Sequence, residues 1–220
     1  IPIGDFPPSA LSGLLHGYIS VYSIVRVSPW LEDVYGSQWD IHERIREIAG
    51  ELADLIQDPS VTLEDRVGHI ADLMEAYLTY SDMDFLDIAL DAAYGIISPE
   101  GRDEIVLPCR TPEMCRLLCS CYYFTGEERC AELAGEIIKE RGTEIFNKSV
   151  EEPLENRWNW YRAEEFYENI IGEEKHEKVK NMLMLEEEFW KQFGKDIDSK
   201  DLTVSTLCFD NLALKEYSLI

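Results

Sequence analysis

Residues 111–142 read TPEMCRLLCSCYYFTGEERCAELAGEIIKERG, and this stretch decides the fold. Thr111 has a side chain that can accept a backbone N–H at a helix start, and Pro112 fits the first helical position, where no N–H is needed. Met114, Leu117, Leu118, Cys121 and Tyr122 then recur at spacings of three, one, three and one, the mark of one helical face. Thr125, with Glu128 three residues on, reads as a second cap. Leu133, Ala134, Ile137 and Ile138 line the next helix until Gly142. Two amphipathic helices meet at a tight turn, and neither can bury its apolar face alone.

The same signals recur on both sides. Toward the N-terminus, Ile41, Ile45, Ile48, Leu52, Leu55 and Ile56 make a single helical stripe. Thr62, followed by Asp65, opens a helix with Val67, Ile70, Leu73, Met74 and Tyr77 inward. A break at Ser81-Asp82 leads to a helix carrying Phe85, Ile88, Ala89, Ala92 and Ile96, which Pro99 stops. Residues 11–27 are apolar but are interrupted by His16 and Arg26. They also fall short of the roughly 20 apolar residues of a membrane span, so they read as a buried helix. Toward the C-terminus, Tyr161, Phe166 and Ile170 pair with Val179, Met182, Leu183, Phe189, Trp190 and Phe193 across a turn at Ile171-Gly172. Residues 201–220 read as an irregular tail packing back through Leu207, Phe209 and Leu212. No alternation of strand type appears, so the fold class is all-α.

The turns repeat. Thr125-Gly126-Glu127-Glu128-Arg129 and Ile171-Gly172-Glu173-Glu174-Lys175 match in chemistry at a spacing of 46, and Ser81 precedes Thr125 by 44. Periods of this size point to stacked helical hairpins. Leu118, Cys119, Tyr122, Gly126 and Ala131 stand where the tetratricopeptide family has its leucine, small residue, tyrosine, glycine and alanine, so the middle hairpin resembles that family. The period exceeds that family's roughly 34 residues, and Glu177 replaces the alanine in the third hairpin. The segments Leu73-Met74-Glu75-Ala76-Tyr77-Leu78 and Phe85-Leu86-Asp87-Ile88-Ala89 are similar to hairpins of the (α/α) toroids of glycan-processing enzymes. Six hairpins of this period exceed 220 residues, whereas four fit. The expected architecture is therefore about four antiparallel hairpins in a right-handed α/α solenoid over residues 1–200, followed by the tail.

Charge narrows the function. With 44 acidic against 20 basic side chains, the formal net charge is −24. Residues 1–110 carry 20 acids and 6 bases, so no basic footprint exists there for phosphates or anionic lipid. Nucleic-acid binding and membrane insertion are not expected. The chain begins at Ile1, so a trimmed leader stays open, and the reducing cytoplasm is the expected compartment.

Five of the six cysteines, Cys109, Cys115, Cys119, Cys121 and Cys130, crowd together, with Cys208 apart. Cys115 and Cys119 share a helical face and, with Cys109 or Cys130, form the candidate metal set. The spacings match no zinc or iron–sulfur pattern. Buried reduced thiols are the first expectation, since cysteine packs as a small hydrophobe. No cofactor is expected. His16, His42, His69 and His176 are scattered, and His69 beside Ile70 reads as a partly buried, hydrogen-bonded histidine. Glycoside hydrolysis needs two carboxyl groups, for which Asp33 with Asp40, Asp82 with Asp84, and Glu164 with Glu165 are the candidates. No phosphate loop or nucleophile elbow occurs, so no catalytic residue is assigned.

In the run Trp158-Asn159-Trp160-Tyr161-Arg162, Trp158 and Tyr161 can face a core, and Trp160 either packs against the tail or the next hairpin, the first expectation, or with Arg157 is the candidate partner-binding pair. Trp30 and Trp39 flank the first inter-helix loop and are expected to staple it. The leading expectation is a non-enzymatic interaction module taking a peptide or helix of a basic partner in a groove between hairpins. A carbohydrate protein using groove carboxylates comes second, and a thiol or metal protein built on the cysteine cluster third. Homodimerisation stays open.

Overall fold

A computed structural model describes residues 3–99, 105–142 and 154–171, and every element among them is helical. Eight α-helices follow in order: α1 Pro8–Val27, α2 Glu32–Tyr35, α3 Gln38–Gln57, α4 Leu63–Tyr80, α5 Met83–Ile97, α6 Pro112–Thr125, α7 Glu128–Ile137 and α8 Leu154–Ile171. Short 3-10 turns cover Ile3–Asp5 and Pro29–Leu31, and a π turn, Ile138–Gly142, ends α7.

The helix starts follow local chemistry. The Ser37 hydroxyl accepts the Asp40 N–H at 3.1 Å and donates to its carboxylate at 2.7 Å. Thr62 does the same with Asp65, at 3.2 and 2.7 Å. Thr111 accepts from Met114 N–H at 3.2 Å, with Pro112 in the first turn. Each satisfies one of the four orphan donors of a helix start and places a carboxylate near the positive end of the helix dipole where an acid is present. One expectation needs correcting. Thr125 does not cap α7 but closes α6, donating its hydroxyl to the Cys121 carbonyl at 2.7 Å. Gly126 then turns the chain at φ +73, and Glu127 supplies the α7 cap. Only glycine adopts that left-handed conformation without cost, which is why the helix stops there.

Where periodicity pointed to one repeat domain, the described chain divides after Ala89 into two compact units. In the first, α3 packs along α1 and α4, and α1 also meets α4. Their shared core holds Leu15, Ile45, Ile48, Leu52, Ile70, Leu73 and Met74, all fully buried. Burial of each such side chain contributes about 1.5–3 kcal/mol. The α3 stripe read from the sequence is inward as expected, with Leu55 only half-buried. On α5 the buried stripe is Leu86, Ala89, Ala93 and Ile97, so Phe85, Ile88, Ala92 and Ile96 are half-buried instead. That helix is apolar on almost every side, so its inward face cannot be told from periodicity.

In the second unit α6 and α7 form a tight hairpin, and α8 packs on both. Met114, Leu117, Leu118, Leu133 and Ile137 form its interior with four cysteines. The α8 helix comes close enough that a Cβ at Gly135 would lie 2.8 Å from the Tyr167 hydroxyl. The expected partner helix of α8 and the tail over 201–220 lie outside the described residues. No described helix is long and apolar enough to cross a membrane.

Candidate functional site

α3 has two working faces. Ile41, Ile45, Ile48 and Leu52 point into the first core. On the opposite side, at helical spacing, follow Trp39, Glu43, Glu47, Gly50, Asp54 and Gln57. Along the later turns of this face runs an open groove of about 950 Å³. Ile3 and Gly4 flank it on one side, Phe85 and Ile88 supply apolar surface, and Glu47, Glu51 and Asp54 supply charge. Gly50 widens it, since no atom lies within 4 Å of where its Cβ would stand. Arg44 pairs with Glu47 at 2.6 Å, leaving the groove acidic overall.

The N-terminal end of the same face carries Trp39, and the turn before α2 carries Trp30. Trp39 is 69% exposed and Trp30 71%, with Val27 and Val34 similarly open. This corrects the expected stapling role of both tryptophans. The Pro29–Leu31 turn and α2 contain no fully buried residue, and Leu31 packs against the first core while Trp30 beside it stays exposed. Trp39 is nonetheless held. Its indole stacks on the His42 ring with centroids 6.5 Å apart and planes at 25°. His42 in turn meets Tyr22 at 5.8 Å, and the Arg26 guanidinium lies 5.7 Å above the Tyr22 ring. Such contacts order an exposed ring without hiding it. Glu32, Asp33, Asp40 and Glu43 are close by in the chain. Exposed tryptophan is enriched at protein interaction surfaces.

The site residues taken from sequence fare differently. Trp160 is 2% exposed and lies in the interior of the second unit with Ala163, so its assignment as an exposed partner-binding residue is corrected. The side chain of its companion, Arg157, lies outside the described residues. The thiols separate as well. Cys109 faces the Thr111 hydroxyl and Cys115 the Ala134 carbonyl, each at 3.9 Å, while Cys121 and Cys130 are buried on the two arms of the α6–α7 hairpin. Among the described residues no three His, Cys, Asp or Glu side chains stand together as a metal site. Of the carboxylate pairs, Asp82 accepts the Asp84 N–H at 3.1 Å and meets Arg46 at 3.7 Å, and Asp40 is tied to Ser37. These are helix-start roles.

One cluster escaped the sequence reading. His16 on α1 places Nε2 2.8 Å from Asp72 on α4, with Nδ1 3.7 Å from Glu75. His69, one turn before Asp72, is also buried. Burial holds its pKa below the usual value for histidine, against the pull of Asp72 and Asp65. Since 56 residues separate His16 from Asp72, no local spacing signals the pair. It joins two helices inside a core, away from the acidic groove residues of α3.

Three comparisons bear on the chain as a whole: no family model matches it, and neither does any curated protein or any solved structure.

Proposed function

We propose that this chain is a non-enzymatic interaction module of stacked helical hairpins that takes a basic peptide or helix of a partner protein along the outer face of α3. One observation carries the reading: a single helix face that bears an exposed, ring-stacked Trp39 at one end and an acidic groove along the rest. A helical ligand would seat an apolar anchor beside Trp39 and Trp30. Its lysines or arginines would lay their aliphatic stems over Phe85 and Ile88 and extend their heads to Glu51 and Asp54. A chain of net charge −24 draws such a partner in and repels copies of itself.

The test is a titration with a labelled amphipathic peptide of lysines and leucines at helical spacing. Binding that weakens steeply as ionic strength rises from about 0.05 to 0.3 M, and that is lost in Glu51→Lys/Asp54→Lys, supports the module. Binding that survives this reversal but falls with Glu132→Lys on α7 would place the ligand elsewhere and sink the reading. The carbohydrate alternative rests on the same two exposed indoles beside carboxylates. It gains if oligosaccharides bind with loss on Trp39→Ala and no salt dependence.

A further inference from the structure

Gly50 sits about two turns before the end of the 20-residue helix α3 and opens into the groove. A glycine inside a helix weakens it relative to alanine, because the unfolded chain has more freedom to lose there. At other described positions the fold itself requires glycine. Gly36 and Gly126 have positive φ, and a Cβ at Gly135 would meet the Tyr167 hydroxyl. Neither reason holds at Gly50. Its φ is not positive, and no atom lies within 4 Å of where a Cβ would stand. Gly95 is open as well, but it lies in the last turn of α5, where helix ends fray and a glycine matters less. The gap at Gly50 thus belongs to the surface and not to the packing of the core.

The surroundings of the gap give it a chemistry. Glu51 follows Gly50, and Asp54 lies one turn on. Arg44 is held by Glu47 at 2.6 Å, so Glu51 and Asp54 have no basic partner among the described residues. Phe85 and Ile88 form an apolar wall, and on the other side the Ile3–Asp5 turn approaches, where a Cβ on Gly4 would stand 3.7 Å from the Glu51 carboxylate. We propose that Gly50 is the point at which the partner helix crosses α3, and that the partner carries a small residue there with an arginine or lysine one turn away. The inference rests on the function proposed above for this face and adds the register and the sequence pattern of the ligand. Packed helix axes lie about 8–10 Å apart, and the side chains at the contact set the distance. Glycine opposite alanine allows the near end of that range. At that separation a basic side chain one turn from the crossing reaches Asp54 and Glu51, with its stem over Phe85 and Ile88. Charge complementarity commits the groove to a basic helix, since a second copy of this chain would bring a further net charge of −24.

The experiment measures fluorescence anisotropy of two labelled helical peptides with the full chain. Both carry a lysine one turn to either side of a central residue, so that either chain direction presents one to Asp54. The central residue is alanine in one peptide and leucine in the other. The alanine peptide should bind wild type about tenfold or more tightly than the leucine peptide, the scale of overpacking a close contact. Gly50→Leu should weaken the alanine peptide by a similar factor while keeping the wild-type circular dichroism, because the space above Gly50 is open. Gly95→Leu should leave binding unchanged. Equal affinity of wild type for the two peptides, or full-strength binding by Gly50→Leu, overturns the crossing point. If Glu51→Lys/Asp54→Lys still abolishes binding in that case, the interaction module stands and the register alone is wrong. Absence of binding by either peptide at low salt overturns both. The comparison of peptides on wild type decides the matter even if Gly50→Leu fails to fold.

Discussion

His16 on α1 and Asp72 on α4 are joined by a buried hydrogen bond at 2.8 Å across 56 residues of sequence, and Glu75 approaches the second ring nitrogen at 3.7 Å. The pair binds two of the three helices of the first core. Its worth depends on which partner is lost. Removing one partner of a buried pair leaves the other desolvated and costs about 3–5 kcal/mol, whereas replacing both by apolar groups costs much less. Asp72→Ala should therefore lower the denaturation midpoint sharply, and His16→Leu/Asp72→Leu should recover much of the loss. Equilibrium urea unfolding of the three proteins measures both numbers. Equal loss in single and double variants would show that the pair itself adds stability.

The fold should weaken on mild acidification. His69 has a folded-state pKa below its ordinary value, chiefly through burial. Below that ordinary value, about 6.5, the unfolded chain binds the proton more readily than the folded one. Stability then rises with pH through this window and is lost as pH falls through it. His69→Gln should flatten the dependence between about pH 5 and 7. Urea midpoints at three pH values in that range, wild type against variant, supply the check.

Gly135 is a packing requirement. A methyl group there would press on the Tyr167 hydroxyl at 2.8 Å, closer than carbon and oxygen tolerate. Alanine normally helps a helix by up to about 1 kcal/mol over glycine. Here Gly135→Ala should instead destabilise by about 1–3 kcal/mol, the usual cost of overpacking. Tyr167→Phe in the same chain should return part of the loss by removing the colliding oxygen. A stabilised Gly135→Ala would mean that α8 shifts freely on α7.

The two faces of α3 should separate cleanly on substitution. Ile45→Ala empties a fully buried site and should cost about 2–5 kcal/mol. Trp39→Ala removes a larger side chain from the open face and should stay within about 1 kcal/mol, the scale of the ring contact it loses. Thermal unfolding of both variants tests the assignment of faces, independently of any partner.

Much of this arrangement was legible from residues alone, and the exceptions have identifiable causes. The α3 and α4 stripes were readable because Ile and Leu recur on one side among charged residues. The caps at Thr62 and Thr111 were readable because cap chemistry is local. The α5 stripe was not, since apolar residues surround that helix. Trp30 and Trp39 misled for a different reason: large aromatics are usually covered, and only tertiary placement shows that these are not. Trp160 failed the other way, because in a run of aromatics the sequence does not say which one faces inward. The His16–Asp72 pair was invisible, as acids are so frequent that pairing across 56 residues leaves no trace in spacing.

On the proposed reading one helix serves as the wall of a core and as the floor of a binding face, so occupancy of that face adds to the stability of the fold. A ligand on the outer side of α3 can be held only while Ile41, Ile45, Ile48 and Leu52 keep that helix in place. Bound partner therefore counts against unfolding, by about 2.7 kcal/mol at one hundred times its dissociation constant. In a cell that clears unfolded chains, such a margin alters abundance several-fold. The amount of this protein would then track the supply of its partner with no dedicated regulator, through proteolysis of whatever remains unoccupied.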